Sequence, residues 1–248
     1  RCFLVYPVSY ELVFSDFDGT LTLDHDQLTP VFFDIQKHLK DRGKKLVIVS
    51  GRSLSWGHFL MTHLNVEAAI MEGGGVIVYR DKNGHLQQEL LVTDAELTLL
   101  QNTVGTILKT YPHLKLSVDS QGRKTDRAIE LFDFQSNDEK KSVEETMKNA
   151  GMHFASSNVH LNFWAGDVSK FRAIKHYLEK YTNVSLGESL FFGDAPNDES
   201  VFKNLEHTVG VSNISRFLAQ MKSHPKVILQ GEDKRGPNGV YHYLKSLG

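Results

Sequence analysis

Asp16-Phe17-Asp18-Gly19-Thr20-Leu21-Thr22 places two carboxylates two residues apart, directly after the apolar run Leu12-Val13-Phe14. The run reads as a buried strand over 11–15. Gly19 and Thr20 break it, so the chain can turn and bring both acids to one site at the strand's C-terminal end. In open α/β sheets ligands bind at that end. One acid can attack as a nucleophile while the other donates and accepts protons. Two crowded anions call for a counter-cation, and hard oxygen ligands favour Mg²⁺. A plain acidic turn would carry the same letters, so the weight falls on what the rest of the chain supplies.

Three further positions match the first in placement. Val47-Ile48-Val49-Ser50-Gly51-Arg52 ends a second apolar run with a hydroxyl, a glycine and a cation. The hydroxyl can donate to a phosphate oxygen, and Arg52 offers a rigid donor fork. Lys170 opens a helix, where a cation reinforces anion binding. Phe191-Phe192-Gly193-Asp194-Ala195-Pro196-Asn197-Asp198 ends another apolar run with two carboxylates and an amide, an oxygen-ligand set suited to Mg²⁺.

These side chains need a scaffold. Strands at 11–15, 45–49 and 68–71 alternate with helices at 30–42 and 53–64. The first helix has Thr29 as N-cap, Pro30 at its first position and Gly43 as its stop. This βαβαβ rhythm predicts a parallel sheet with helices on both faces. Runs at 76–79 and 86–91 then flank Asp81-Lys82-Asn83-Gly84, a hairpin signal. Beyond it the pattern reads helix 94–110, strands 114–118 and 127–134, a helix from Asn137 or Asp138 to 150, and strands 153–155 and 160–164. That αββαββ order predicts an antiparallel sheet with two helices on one face. From 167 the alternation returns, with helices at 169–181, 198–204, 214–222 and 239–247 and strands at 189–192, 207–211 and 227–229. The expected architecture is an α/β, Rossmann-like core, 1–81 and 167–248, interrupted by an α+β insert at 82–166.

Composition limits the classes of function. The 248 residues are 40% hydrophobic and 23% charged, ordinary values for a globular protein. The net charge of −2 gives no electrostatic case for a nucleic-acid or anionic-membrane partner. A single cysteine, Cys2, excludes an internal disulfide and a cysteine-based zinc cluster. No apolar run approaches a membrane span, and residues 1–10 lack the long apolar region of a signal peptide. A cytoplasmic monomer or small homo-oligomer is the expectation.

Acid pair, hydroxyl, lysine and second acid cluster occur in that order, and in this the chain resembles the haloacid dehalogenase superfamily of phosphotransferases. Its nucleophile motif matches 16–22, its second motif Ser50, its third Lys170 and its fourth 193–198. The insert lies between the second and third motifs, where type II members carry a cap. Its αββαββ order is similar to the IIB subtype of sugar-phosphate phosphatases, including those for trehalose phosphate, sucrose phosphate and mannosyl-phosphoglycerate, and of eukaryotic phosphomannomutases. The resemblance implies that Asp16 is the nucleophile, forming an aspartyl-phosphate, and that Asp18 is the acid/base. It implies Mg²⁺ held by Asp16, the main-chain carbonyl of Asp18 and Asp194, with support from Asp198 and Asn197. Ser50 and Lys170 would hold phosphoryl oxygens, with Gly51 and Arg52 beside them. An Asp at position 18 resembles the phosphatases and mutases rather than the ATPase pumps, which have Thr there.

Substrate contacts are harder to place. Glu72-Gly73-Gly74-Gly75 follows the third strand, where the family often has Asn-Gly. Glu72 could hydrogen-bond a sugar hydroxyl or belong to a hinge. In the insert, Arg123, Lys124 and Arg127 precede a strand and could face the site; a solvated charge run is the bland alternative. His160, Asn162 and Trp164 alternate and so share one strand face, suited to a sugar or simply exposed. His58, His63 and His207 have no metal-ligand spacing. The expected function is a Mg²⁺-dependent phosphatase acting on a small phosphorylated metabolite, a sugar phosphate first. A phosphohexomutase is the rival enzyme, disfavoured because phosphomannomutases lack the Ser50-Gly51-Arg52 arrangement. A phospho-accepting switch or a binding protein is the rival from another class, but receiver domains are about half this length and have no insert.

Overall fold

The computed structural model describes residues 10–23, 28–156 and 160–248. Cys2 and the leader reading at 1–9 lie outside the described residues. The first stretch contains β1 (Leu12–Ser15), α1 (Pro30–Asp41), β2 (Lys45–Val49), α2 (Leu54–His63), β3 (Ala68–Met71), β4 (Val76–Arg80) and β5 (Leu86–Leu90). The insert contributes α3 (Asp94–Thr110), β6 (Asp126–Glu130), α4 (Asn137–Asn149), β7 (His153–Ser156) and β8 (His160–Trp164). The chain then returns through α5 (Lys170–Tyr181), β9 (Ser189–Gly193), α6 (Glu199–Asn204), β10 (His207–Gly210), β11 (Val227–Ile228) and α7 (Gly236–Ser246).

The large sheet runs β11-β10-β9-β1-β2-β3-β4-β5. It is parallel from β11 to β3 and antiparallel over β4 and β5. Its central strands are continuous apolar runs because both faces are covered. Val13 packs with α1, α2 and α7 through Phe32, Ile35, Leu60 and Leu244. Leu12 and Phe14 face the other way, onto Ala173, Ile174 and Tyr177 of α5 and Phe202 of α6. Burying a side chain of this size contributes about 1.5–3 kcal/mol. After β1 the chain builds outward through β2 and β3, then returns to β1's other side as β9. The order therefore reverses between β1 and β9, and a crevice opens at the carboxyl ends of such a pair.

Four expectations meet corrections. The strand at 86–90 lies beyond the expected boundary at 82, yet β5 pairs with β4 along the core edge. The turn at 81–84 simply folds the chain back, so this pairing needs no crossover. The insert's sheet has three strands, β6-β8-β7, rather than four. Of the expected strand at 114–118 only the Leu116–Ile129 bridge forms. Ser120 explains this: its hydroxyl bonds both the N–H (3.2 Å) and the C=O (3.3 Å) of Ala128. The Ala128 C=O keeps a backbone donor, the Ser117 N–H (2.8 Å), but at the Ala128 N–H a side chain takes the place of the ladder partner, and the backbone turns into a 3₁₀ segment, Val118–Gly122. The strand at 127–134 likewise stops at Glu130 and becomes a 3₁₀ turn, Leu131–Asp133. The helix expected at 214–222 is two 3₁₀ turns, Ser212–Arg216 and Leu218–Gln220. Asn213 stands where an N-cap would, but its Oδ1 accepts instead from the N–H of Gly236 (3.0 Å).

Candidate active site

The core sheet brings three strand ends together. Asp16 follows β1, Ser50 follows β2 and Asp194 follows β9. Asp16 is locked by its own N–H, which donates to Phe192 O at 2.9 Å. Lys170 enters from the first position of α5 and lies between two acids. Its Nζ is 2.6 Å from Asp16 Oδ1 and 2.6 Å from Asp198 Oδ1. All three side chains are buried, at 2%, 5% and 0% exposure, so this is an ion triad out of water. Asp198 Oδ2 accepts from the N–H groups of Asp194 (3.0 Å) and Ala195 (3.2 Å), which fixes the loop after β9.

Asp194 takes its hydrogen bonds from neutral donors, with a cation farther out. Thr20 Oγ1 donates to Oδ1 (3.1 Å), and Asn213 Nδ2 donates to Oδ2 (2.8 Å) and to Gly19 O (2.9 Å). Arg216 reaches Oδ2 at 3.6 Å. Gly19 has φ +79°, and a Cβ there would lie 2.5 Å from Asp194 Oδ2, so the turn after the acid pair requires glycine. Asn213 was absent from the sequence reading. The available signal was its place just after β10, a fourth strand end beside the crevice. We expect Asn213→Ala to lower stability by about 1–3 kcal/mol, since a buried acceptor loses its donor. Thermal melting checks this.

Oxygens of Asp16, Asp194 and Asp198 lie within 4.8 Å of one another. Burial holds the Asp16 carboxyl well above its ordinary range; Lys170 opposes this, and Asp198 and Asp194 add to it. Burial, with Asp198 beside it, moves Asp194 from 3.8 to about 7. Burial works against the charge on Lys170, yet the two carboxylates raise its pKa. One lysine does not neutralise three crowded acids, so a hard dication fits this donor set. The Asp18 side chain stands apart from the cluster. Arg52 grips it, with Nε at 2.9 Å from both oxygens and NH2 at 2.6 Å from Oδ1. The guanidinium lies 4.2 Å from the centre of the Trp56 ring. Ser50 Oγ is buried and accepts from the Arg52 N–H (3.1 Å).

The remaining sequence candidates fall into different roles. Asn197 is exposed. Glu72 is buried and gives its oxygens to Leu54, Lys124 and Thr125. Arg123 spends its fork on Asp119, Asp126 and the carbonyl of Gly51. Burial raises Asp126 to about 6 against the pull of Arg123. Lys124 has an exposed side chain. Arg127 NH1 donates to the carbonyls of Arg123 (3.1 Å) and Asp126 (2.6 Å), stapling its own loop. Asn162 sits mid-sheet between Ala128 and Ala155. It faces away from the helices that cover Leu161 and Phe163.

This fold has known counterparts. A family model described as haloacid dehalogenase-like hydrolase matches residues 13–103 and 87–244, and the chain belongs to that family. It is 23% identical over 271 residues to an HMP-PP phosphatase of Serratia proteamaculans, covering 96% of each. It is 26% identical over 237 residues to a phosphoglycolate phosphatase of Sulfurisphaera tokodaii, covering 95% of this chain and 93% of the relative. A solved haloacid dehalogenase-like hydrolase from Bacteroides thetaiotaomicron shares the fold with a TM-score of 0.72, at 16% identity, covering 96% of this chain and 100% of that one. Among the described residues no helix is long and apolar enough to cross a membrane.

Proposed function

We propose that the protein is a Mg²⁺-dependent phosphatase that hydrolyses a small phosphomonoester, a sugar phosphate in the first instance, through an aspartyl-phosphate. The observation that carries this is the buried Asp16–Lys170–Asp198 triad beside Asp194, set where the strand order reverses. Asp16 attacks phosphorus in line, and the bond to the leaving oxygen breaks. Asp18 gives that oxygen its proton, then takes a proton from the water that attacks the aspartyl-phosphate. Inorganic phosphate leaves and Asp16 is restored. Lys170 and Ser50 face the phosphoryl oxygens and offset their charge. Asp16, Asp194 and the Asp18 carbonyl would hold Mg²⁺, which supplies further charge neutralisation. The names of both relatives support phosphatase activity; they differ in substrate. The sugar reading draws on the polar-aromatic face of β8, His160, Asn162 and Trp164.

Phosphate release from a panel of sugar phosphates, nucleotides and phosphorylated carboxylates, with and without chelator, tests this reading. Hydrolysis of at least one compound is expected, lost with chelator and restored by Mg²⁺. Full activity in excess chelator would refute the metal assignment. Thermal melting adds a pH test. Asp194 binds its proton more tightly folded than unfolded, so metal-free stability falls as pH rises from about 4 to about 7. Mg²⁺ should therefore raise the melting temperature more at pH 8 than at pH 5.5. An equal or larger gain at pH 5.5 would contradict it.

A further inference from the structure

Glu72 is the one non-glycine residue with positive φ among the described residues, at +55°. Such a backbone costs of order 1–3 kcal/mol, and glycine would hold the same turn without it. The strain is tied to a side chain that is almost wholly committed. Glu72 is 3% exposed. Its Oε1 accepts from the Leu54 N–H (2.9 Å), at the first turn of α2, and from the Lys124 N–H (3.0 Å). Its Oε2 accepts from the N–H groups of Lys124 (3.1 Å) and Thr125 (2.6 Å) and from Thr125 Oγ1 (2.7 Å). These donors are neutral and come from both the core and the insert. Thr125 sits so close that a Cβ at Gly75 would collide with its hydroxyl.

The same residue touches the loop after β2 from behind. The Glu72 N–H donates to Arg52 O (2.9 Å), and the Gly73 N–H donates to Ser50 O (3.1 Å). The carbonyl between them, Gly51 O, accepts from Arg123 NH1 (3.1 Å), which the insert supplies. All three carbonyls of the Ser50-Gly51-Arg52 loop are thus fixed by Glu72, its neighbour, or the loop segment that Glu72 holds. Arg52 in turn grips Asp18.

We propose that Glu72 is a positioning residue for Asp18, acting through the 50–52 loop and the Arg52 fork, with the 123–125 segment of the insert as the other half of the clasp. The proposal rests on the phosphatase reading, in which Asp18 protonates the leaving group. Proton donation matters more when the leaving oxygen is more basic, so the test compares phenyl phosphate with p-nitrophenyl phosphate. They are similar in shape, and only the second leaves readily without a proton. The value of kcat/KM covers steps through leaving-group departure.

Glu72→Gln keeps the shape but turns an amide N–H₂ toward donors. It should lower kcat/KM for phenyl phosphate at least ~10-fold more than for p-nitrophenyl phosphate, part of the ~10²–10⁴ that general acid catalysis contributes. Asp18→Asn should show the same selective loss at full size. Thr125→Val removes one donor hydroxyl without changing volume, and should shift the ratio in the same direction by roughly 3-fold. It decides the matter if Glu72→Gln does not fold. An unchanged ratio, whether both rates fall together or neither falls, would show that Glu72 only braces the structure and would overturn the proposal. Hydrolysis neither of these compounds nor of any member of the metabolite panel by the unaltered protein with Mg²⁺ would instead sink the phosphatase reading beneath it.

Discussion

Asp16→Asn should abolish phosphate release, by a factor of roughly 10⁴ or more, while the protein stays folded. Losses of that order follow removal of a nucleophile whose partners remain in place. An amide oxygen can still accept from Lys170, whose Nζ lies 2.6 Å from the present carboxylate oxygen. The substitution also removes one of three crowded negative charges. Because burial and the neighbouring acids hold Asp16 well above its ordinary range, its charged form is disfavoured in the fold. The metal-free variant should therefore melt no lower than the unaltered protein at pH 8. Phosphate release and circular dichroism, read on the same sample, separate the two effects. In intact mass, Asp16→Asn should acquire no phosphoryl group, whereas Asp18→Asn should retain one of ~80 Da when Asp18 is needed to release it. Substantial turnover by Asp16→Asn would remove Asp16 from the nucleophile's role.

The core of this arrangement was legible because it depends on local chemistry at strand ends. Asp16, Ser50 and Asp194 each follow a run of apolar residues, and such runs mark strands buried on both faces. Parallel connection then brings those ends to one edge of the sheet. Lys170 was legible only by its order among the motifs; its reach between Asp16 and Asp198 is a tertiary fact. Asn213, a lone amide in a 3₁₀ turn, belongs to no motif and is marked in sequence only by its place after β10, although it ties three segments together. The charges of the insert misled for a related reason. Arg123 and Arg127 look like ligands for an anion in sequence, but in the fold Arg123 is taken up by two carboxylates and a carbonyl, and NH1 of Arg127 by two carbonyls of its own loop. Sequence shows charge; it does not show which charges are already paired. The missing fourth strand of the insert has the same origin, a serine side chain competing with a backbone ladder. Glu72 could be read as sugar contact or hinge from its neighbours alone, and only the fold reveals which donors surround it.

Lys170→Met should be the most destabilising single change in the site. The lysine is 2% exposed and is a charged partner of both Asp16 and Asp198. Methionine fills similar volume but leaves two buried carboxylates facing each other. Breaking a buried ion pair from one side costs about 3–5 kcal/mol, because the abandoned charge cannot return to water. The sign of the pH dependence follows from Asp16. Its folded pKa already lies above its ordinary value, and loss of the lysine, which holds it down, raises it further. The penalty is therefore full at pH 8, where Asp16 is charged in the unfolded chain, and shrinks as acid lets the folded carboxyl take a proton. Melting curves at pH 8 and pH 5 without Mg²⁺ should show a smaller deficit at the lower pH. The double variant Asp16→Asn with Lys170→Met gives a sharper check. If the cost comes from orphaned charge rather than lost packing, removing one acid should return part of it, and the double-mutant cycle should show coupling well beyond the ~0.3–0.5 kcal/mol within which independent sites add. Phosphate release should remain lost in both variants, since Lys170 also faces the phosphoryl oxygens in the proposed reaction. Additive destabilisation, with no rescue by Asp16→Asn at pH 8, would mean that packing and not charge pairing is what Lys170 supplies to the fold.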